Sequence, residues 1–404
     1  MQALPGVPLR LLRAVAGVAQ CGSAARAAGH LHLSVSAVTR AVLRAEAMLG
    51  LALFERGARG MVPTPAGQVL VARVRRAWDE LALAQPAAGR GSAARDDTLT
   101  RQVTEAMLEA LAAVAEARSE GAAARRLGVS QAAVHQALRQ LEHASRLHLF
   151  ERSRRGTRLT DAGERLLLRG KLALAELRIG HDEISAWRGL RSGRVAVGVL
   201  PMAGDVLVPQ ALARLFKAEP GVVATVADGT YEALLHQLRH ADVDLIVGPL
   251  RGEQAAPEVQ EQLLFVDRLV PVVRSAHPLL ARGRPRTLRT LLRWPWIGPL
   301  PGTPAGAAFE RAFAAAGLPA PAVSVQVNSP AVVRSVLCAG EHVALLSPLQ
   351  IRAEVAAGLL CVLPVPVQGT ERPIGIAQRR DGLASAASRA LVRELETIAR
   401  DIAA

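Results

Sequence analysis

The chain has little of three things: among 404 residues there are only 11 aromatics, 3 cysteines and 2 lysines. So few rings leave few platforms for stacking exposed bases, which argues against a single-strand or RNA binder. Cys21, Cys338 and Cys361 are too few and too scattered for a disulfide framework or a Cys-rich metal site. They read as small core or near-surface residues in a reducing compartment, the cytoplasm. Long apolar runs are lacking too. The start from Leu9 to Ala19 is broken by Arg10 and Arg13, unlike a signal peptide or a membrane span, so no membrane association is expected. No GxSxG, Walker A, HExxH or GxGxxG signature in a βα setting is found, and no acid, base and nucleophile converge. The chain therefore reads as a non-enzyme that needs no cofactor, with a metabolite-binding α/β enzyme as the alternative.

Half the residues are hydrophobic, at mean hydropathy +0.21, enough apolar material for the cores of two to four domains. The net charge of +14 is nearly all guanidinium, since Lys171 and Lys217 are the two lysines, and arginine grips phosphate in a bidentate fork. Up to Ser192 there are 28 basic and 17 acidic residues, a net +11; beyond it, 21 and 18 leave only +3. Polyanion binding is expected in the N-terminal part.

That part is duplicated. Leu53-Phe54-Glu55-Arg56 recurs as Leu149-Phe150-Glu151-Arg152, 96 residues on. The same gapless shift superimposes Ala27-Ala28 on Ala123-Ala124, Ser34 on Ser130, Ala37-Val38 on Ala133-Val134, Glu46 on Glu142 and Ala66-Gly67 on Ala162-Gly163. Two copies of about sixty residues make a repeated small domain rather than a solenoid. Each opens with helical spacing, Leu12, Val15, Val18 and Ala19 or Leu108, Leu111, Val114 and Ala115. A short Ala-rich helix follows, Ala24 to Ala28 or Gly121 to Arg126. Gly128 suits the tight turn after the second of these, whereas the first copy's turn, Gly29 to Leu33, reads as irregular. Ser34 or Ser130 then caps a third helix, with Ala37-Val38 or Ala133-Val134 expected to face inward. Helix, turn, helix is the arrangement that lays one helix across a phosphate backbone and the next in the major groove. Beyond the Phe-Glu-Arg element, two extended pieces around Arg59-Gly60 or Arg155-Gly156 make a wing.

The run AAARRLGVSQAAVHQALRQLE, followed by LFERSRRGTRLTDAGE, resembles the winged helix-turn-helix of LysR-type transcriptional regulators. The likeness continues to about residue 400, with the first copy as a more divergent module ahead of it. It implies a mostly α region of two tandem winged helix-turn-helix modules, then a two-lobed α/β effector domain like a periplasmic binding protein. The expected divisions are 1–86, a first module with a short linker helix; 87–98, a tether rich in Gly, Ala, Ser and Arg; 99–163, the second module; 164–192, a linker helix; and 193–404, the effector domain. Leu167, Leu174, Leu177, Ile184 and Trp187 give that linker an apolar stripe, which the resemblance assigns to pairing in a homodimer or homotetramer. Leu70, Val74, Ala77, Trp78 and Leu81 are a shorter echo in the first copy.

Helix geometry selects the DNA-facing candidates. After Ser130, Gln131, His135 and Arg139 share one face with Gln136 beside it; in the first copy, after Ser34, they are Val35, Ser36, Thr39, Arg40 and Arg44. Glutamine pairs bidentately with adenine, arginine with guanine, and threonine meets a thymine methyl. Arg56, Arg59, Arg152, Arg154, Arg155 and Arg158 in the wings would neutralise phosphates of double-stranded DNA. His135, His143 and His148 are spaced so that the three rings do not share a helix face, which argues against a metal. Val35 and the irregular turn keep open a first module that is a protein-interaction element.

From Arg194 the pattern becomes alternating strands and helices, with apolar runs typical of buried parallel strands. Strands are expected at Val195 to Leu200, Val222 to Ala227, Val243 to Val247, Trp296 to Gly298, Val323 to Val327 and Val343 to Ser347. Thr303 and Ser329 would cap helices that open with Pro304 and Pro330. Crossing segments near Leu269 to Val273 and Arg372 to Ala377 would join two lobes. Ligands bind beyond the carboxyl ends of such strands. The effector candidates are therefore Pro201, Met202, Ala203, Gly248, Pro249, Pro301, Gly302, Thr303, Asn328 and Ser329, around a small, anionic or polyhydroxylated effector.

Overall fold

A computed structural model describes residues 7–57, 60–85, 98–153, 156–188, 192–201, 203–281, 287–382 and 384–403. Arg59, Arg154, Arg155, Met202 and all but the last residue of the expected tether lie outside the described residues. The chain divides into two compact units, the first Met1–Gly193 with Arg239–Asp242 and Leu383–Ala386, the second Arg194–Leu238, Val243–Gly382 and Ala387–Ala404.

In the first unit each repeat forms three helices, a two-stranded wing and a linker helix. These are α1 Leu9–Cys21, α2 Ala24–Leu31, α3 Val35–Leu49, β1 Phe54–Gly57, β2 Gly60–Pro63 and α4 Pro65–Leu83. A short helix, α5 Thr98–Gln102, precedes the second set: α6 Glu105–Ala117, α7 Glu120–Leu127, α8 Gln131–Ser145, β3 Phe150–Ser153, β4 Gly156–Leu159 and α9 Asp161–Trp187. Hydroxyls at matching positions start the helices: the N–H groups of Ala37 and Ala133 donate to Ser34 and Ser130 Oγ at 3.2 and 3.1 Å, satisfying an otherwise orphaned donor. Thr64 and Thr160 do the same for Gly67 and Gly163, and each also donates to a carbonyl, Ala52 O at 2.9 Å or His148 O at 2.7 Å. The first copy's turn is regular after all, because His32 adopts the left-handed φ of 54° that Gly128 adopts at 69°. Val38 and Val134 face inward as expected, but Ala133 is exposed and Ala37 only half-buried. They lie one position round the helix from the core stripe.

Other repeated residues tie the wing to the helices. Glu46 accepts from the Leu53 N–H at 2.8 Å and Glu142 from the Leu149 N–H at 2.9 Å, so one carboxylate anchors the chain entering each wing. Gly67 and Gly163 pack so closely on this segment that a Cβ would lie 2.1 Å from Leu53 O and 2.2 Å from Leu149 O. Only glycine allows that approach of backbone to backbone.

The linker helices α4 and α9 pack against each other within the chain. Arg73, 5% exposed, donates to Glu176 from Nη1 and to Glu183 from Nε, both at 2.9 Å. Further along, Arg169 donates to Glu80 at 2.7 Å. The lower residue on one helix meets the higher on the other, so they run antiparallel. Leu70, Val74, Ala77 and Leu81 and, on α9, Leu166, Ala173, Leu174 and Leu177 are buried. The apolar stripe assigned from sequence to a second copy is thus covered by a helix of the same chain, and Trp187 at its end is 54% exposed.

The second unit has two five-stranded sheets. The first lobe comprises β5 Ser192–Val199, α10 Leu207–Ala218, β6 Gly221–Asp228, α11 Tyr231–Arg239, β7 Leu245–Pro249 and β8 Val259–Arg268. The chain crosses to β9 Val270–Arg274, short helices α12 Pro278–Ala281 and α13 Leu288–Leu291, β10 Trp296–Gly298, α14 Pro304–Ala315, β11 Val323–Gln326, α15 Pro330–Ala339, β12 Val343–Leu346, α16 Arg352–Ala356 and β13 Leu360–Val362. It returns through β14 Glu371–Arg379 and ends in α17 Ala386–Ala403. The strand orders are β6-β5-β7-β14-β8 and β11-β10-β12-β9-β13. The sheets are mixed rather than parallel throughout: β5 and β7 are parallel, whereas β14 is antiparallel to β7 and β8, and β9 to β12. The strands that cross between lobes enter each sheet from the opposite end, which reverses their direction. Trp296 fills one core, edge-on to Phe309 and Phe313, with its indole N–H donating to Leu291 O.

Candidate DNA interface and effector site

The capped helices α3 and α8 carry the candidate DNA-reading residues outward. Gln131, His135, Gln136 and Arg139 are exposed, opposite buried Val134, Leu138 and Leu141. His135 Nδ1 lies 3.2 Å from Glu120 Oε2, a carboxylate at the start of α7 that orients the ring. In the first module Ser34, Val35, Ser36, Arg40 and Arg44 are exposed and Thr39 is half-buried, its hydroxyl donating to Val35 O at 2.9 Å. Ser34 and Ser36 hydroxyls pair at 3.1 Å. Arg56 and Arg158 are exposed on the wings, with Arg56 Nη2 3.7 Å from Glu46. The modules share a frame but present different chemistry: under the 96-residue shift, exposed Val35 and Leu43 stand where Gln131 and Arg139 do.

In the second unit a cavity of about 300 Å³ opens where strand ends and helix N-termini converge. Pro201, Pro249, Pro301, Gly302, Thr303 and Asn328 line it. Ala203 is fully buried, and Gly248 serves packing instead: its φ is 154°, and a Cβ would lie 2.5 Å from Leu200 Cβ. Neither is among the lining residues, and nor is Ser329. Thr303 caps α14, accepting from the Gly306 N–H at 3.0 Å and donating to Leu300 O at 2.7 Å, so its hydroxyl is committed on both sides. Ser329 holds the equivalent position before α15, but its hydroxyl makes no capping bond. At ψ 114° the backbone leaves the geometry in which the side chain reaches the first turn.

Among the further lining residues, not singled out from the sequence, are Tyr231, Arg251 and Arg372. The Arg251 guanidinium lies 4.3 Å over the Tyr231 ring and donates to Gly302 O at 3.3 Å. Arg372 is buried and ion-paired with Asp267, which also accepts from Ser347 Oγ at 2.7 Å. Arg251 Nε and Arg372 Nε are buried and have no hydrogen-bond partner among the described residues. The available signal was that Tyr231 is the one tyrosine of the chain, placed at the start of a helix. Glu232, also lining, is exposed at the rim.

Paired winged helix-turn-helix modules joined to a two-lobed α/β domain with such a cavity define a ligand-responsive DNA-binding regulator. The family model for the LysR substrate binding domain matches residues 188–399, and that for the bacterial regulatory helix-turn-helix protein of the lysR family matches twice, at 9–68 and 106–164. The chain is 35% identical to the transcriptional regulator GalR of Pseudomonas putida over 95% of both chains. It is 31% identical to PcaQ of Agrobacterium fabrum over 68% of this chain and 88% of that one. The chain belongs to the LysR family of transcriptional regulators: it binds DNA, senses a metabolite and is not an enzyme. Its fold is similar to that of a full-length OxyR variant from Pseudomonas aeruginosa (TM-score 0.56, 21% identity, 74% of this chain and 95% of that one). It is similar also to CbnR in complex with its target DNA (TM-score 0.52, 21% identity, 72% and 98%). Among the described residues no helix is long and apolar enough to cross a membrane.

Proposed function

We propose that both modules dock α3 and α8 in major grooves of double-stranded DNA while the wings hold phosphates, and that the cavity takes a small carboxylate effector. The parsing is 1–86 and 99–163 for the modules, 164–192 for the long linker and 193–404 for the effector domain. The regulator works as a homo-oligomer in the cytoplasm, where three free thiols stay reduced. The observation that carries the DNA reading is the exposed polar face of α8, Gln131, His135, Gln136 and Arg139, on a helix held by a serine cap and a buried apolar face. In the first module Ser34, Ser36, Thr39, Arg40 and Arg44 play the same part, with Arg56, Arg59, Arg152, Arg154, Arg155 and Arg158 on phosphates.

Phosphate contacts release counterions, so affinity falls steeply with salt, and Arg158→Ala is expected to reduce the log–log slope by about one unit while weakening all sequences alike. Gln131→Ala is expected instead to cost about 1–3 kcal/mol of discrimination at one base pair. Fluorescence anisotropy across a salt series on operator and scrambled duplexes reads both, and a flat salt response overturns the DNA contacts.

Support for a carboxylate comes from Arg251 and Arg372, whose buried Nε–H groups have no partner among the described residues, and from the positive N-terminal ends of α14 and α15. Pro201, Pro249, Pro301, Gly302, Thr303 and Asn328 would shape the walls. In a thermal-shift screen of small carboxylates, a compound at a hundredfold its Kd is expected to stabilise by about 2.7 kcal/mol. Arg251→Met is expected to weaken that compound at least about tenfold, as loss of a charge-assisted contact does. Undiminished shifts in the variant would move the site elsewhere.

A further inference from the structure

Two of the ion pairs between the linker helices are related to each other by the repeat, whereas Arg73–Glu183 and Arg76–Glu176 have no counterpart at the 96-residue shift. Arg169 lies 96 residues after Arg73, and Glu176 lies 96 residues after Glu80. Arg73 of the first copy pairs with Glu176 of the second, and Arg169 of the second with Glu80 of the first. Residue i meets j′ and i′ meets j, which is the signature of an isologous, two-fold interface, here built inside one chain. Ala77 and its counterpart Ala173, both buried, fall at the midpoint, where small side chains let antiparallel helices approach. Each linker helix leaves its own wing through the same threonine cap, Thr64 or Thr160, so the relation extends from the helices to the modules.

We propose that one chain presents a complete paired reading head and that its operator unit is two unlike half-sites in inverted phasing, recognised without a second copy's DNA-binding modules. This rests on the DNA-docking reading above. A two-fold rotation preserves direction along its own axis, so α3 and α8 face the same way along it, and duplex DNA has matching two-fold axes perpendicular to its length. Protein symmetry sets half-site orientation, while side chains set half-site sequence. Here the two are uncoupled. Orientation is two-fold, but α8 offers Gln131 and Arg139, which pair with adenine and guanine edges, where α3 offers Val35 and Leu43, which suit thymine methyls, with Arg40 and Arg44 nearby. A homodimer of single-module chains is bound to read a palindrome; this head is not.

The experiment is selection of bound sequences from a random duplex pool by the full chain, repeated with Gln131→Ala and Arg40→Ala, both exposed positions. The expected motif has two unlike inverted half-sites. Gln131→Ala relaxes one of them by about tenfold and leaves the other, and Arg40→Ala does the reverse. Titration of the selected duplex saturates at one chain per pair of half-sites. A palindromic motif whose two halves both relax in Gln131→Ala and neither in Arg40→Ala overturns the proposal while leaving DNA binding intact. Absence of any enriched motif, with retention insensitive to salt, overturns the DNA-docking reading as well.

Discussion

Arg73→Met is expected to cost the N-terminal unit about 3–5 kcal/mol, the penalty for removing one partner of a buried ion pair. Arg73 is held by two carboxylates, and its side chain and those of Glu176 and Glu183 are 6%, 10% and 17% exposed. Burial lowers its pKa, but the hydrogen bonds to Glu183 and Glu176 outweigh that and raise it above the usual arginine value. Removing the guanidinium strips Glu183 of that partner and leaves Glu176 with the longer contact to the more exposed Arg76, 3.6 Å away. The symmetry-related change, Arg169→Met, breaks a pair whose side chains are 34% and 28% exposed. Solvent screens that pair, and a cost of about 0–1 kcal/mol is expected. Urea denaturation of the full chain, followed by a probe in the N-terminal unit, separates the two variants. Equal losses would mean that the interface is not organised around Arg73.

Arg372→Met is the corresponding change in the effector domain, with a cost of about 3–5 kcal/mol. Arg372 and Asp267 are 4% and 5% exposed, and without the guanidinium the Ser347 hydroxyl is the side-chain partner that Asp267 keeps among the described residues. Adding Asp267→Asn removes the stranded charge and preserves an oxygen for Ser347 to donate to, so the double variant is expected to recover most of the loss. Contacting residues are coupled in this non-additive way. Calorimetry of the single and double variants reads the recovery, and strict additivity of the two changes would show that the pair contributes no coupling. Because Arg372 also lines the cavity, the double variant is expected to fold yet bind the effector weakly.

The helix-turn-helix was legible because its determinants are local. Ser34 and Ser130 bond a backbone N–H three residues on, and Val134, Leu138 and Leu141 share a face by helix period alone. The Ala-Gly pair and the glutamate of the repeat were visible as recurrences; their reasons were not, since Gly163 answers to Leu149 O and Glu142 to the Leu149 N–H across a loop. In the effector domain most strands and capped helices could be read, while β8 and β13 could not, because both strands have poor period and are defined by their neighbours. The cavity's prolines and Thr303 followed from the rule that ligands gather at strand ends. Arg251 and Arg372 did not, because they are 121 positions apart and meet at the cavity only once β14 has crossed back into the first sheet.

By itself the sequence determined that this is a duplicated, arginine-rich DNA-binding chain with an α/β sensing domain, because caps, periodicity and repeats act within a few residues or recur at a constant shift. Only the tertiary structure decided what the linker helices pair with. An arginine or glutamate on an apolar helix reads as a solvated position, and four of them become an interface only when antiparallel packing brings Arg73 to Glu176 and Arg169 to Glu80. Charge pairing depends on distance in space, which helix period constrains along one helix and leaves open between two.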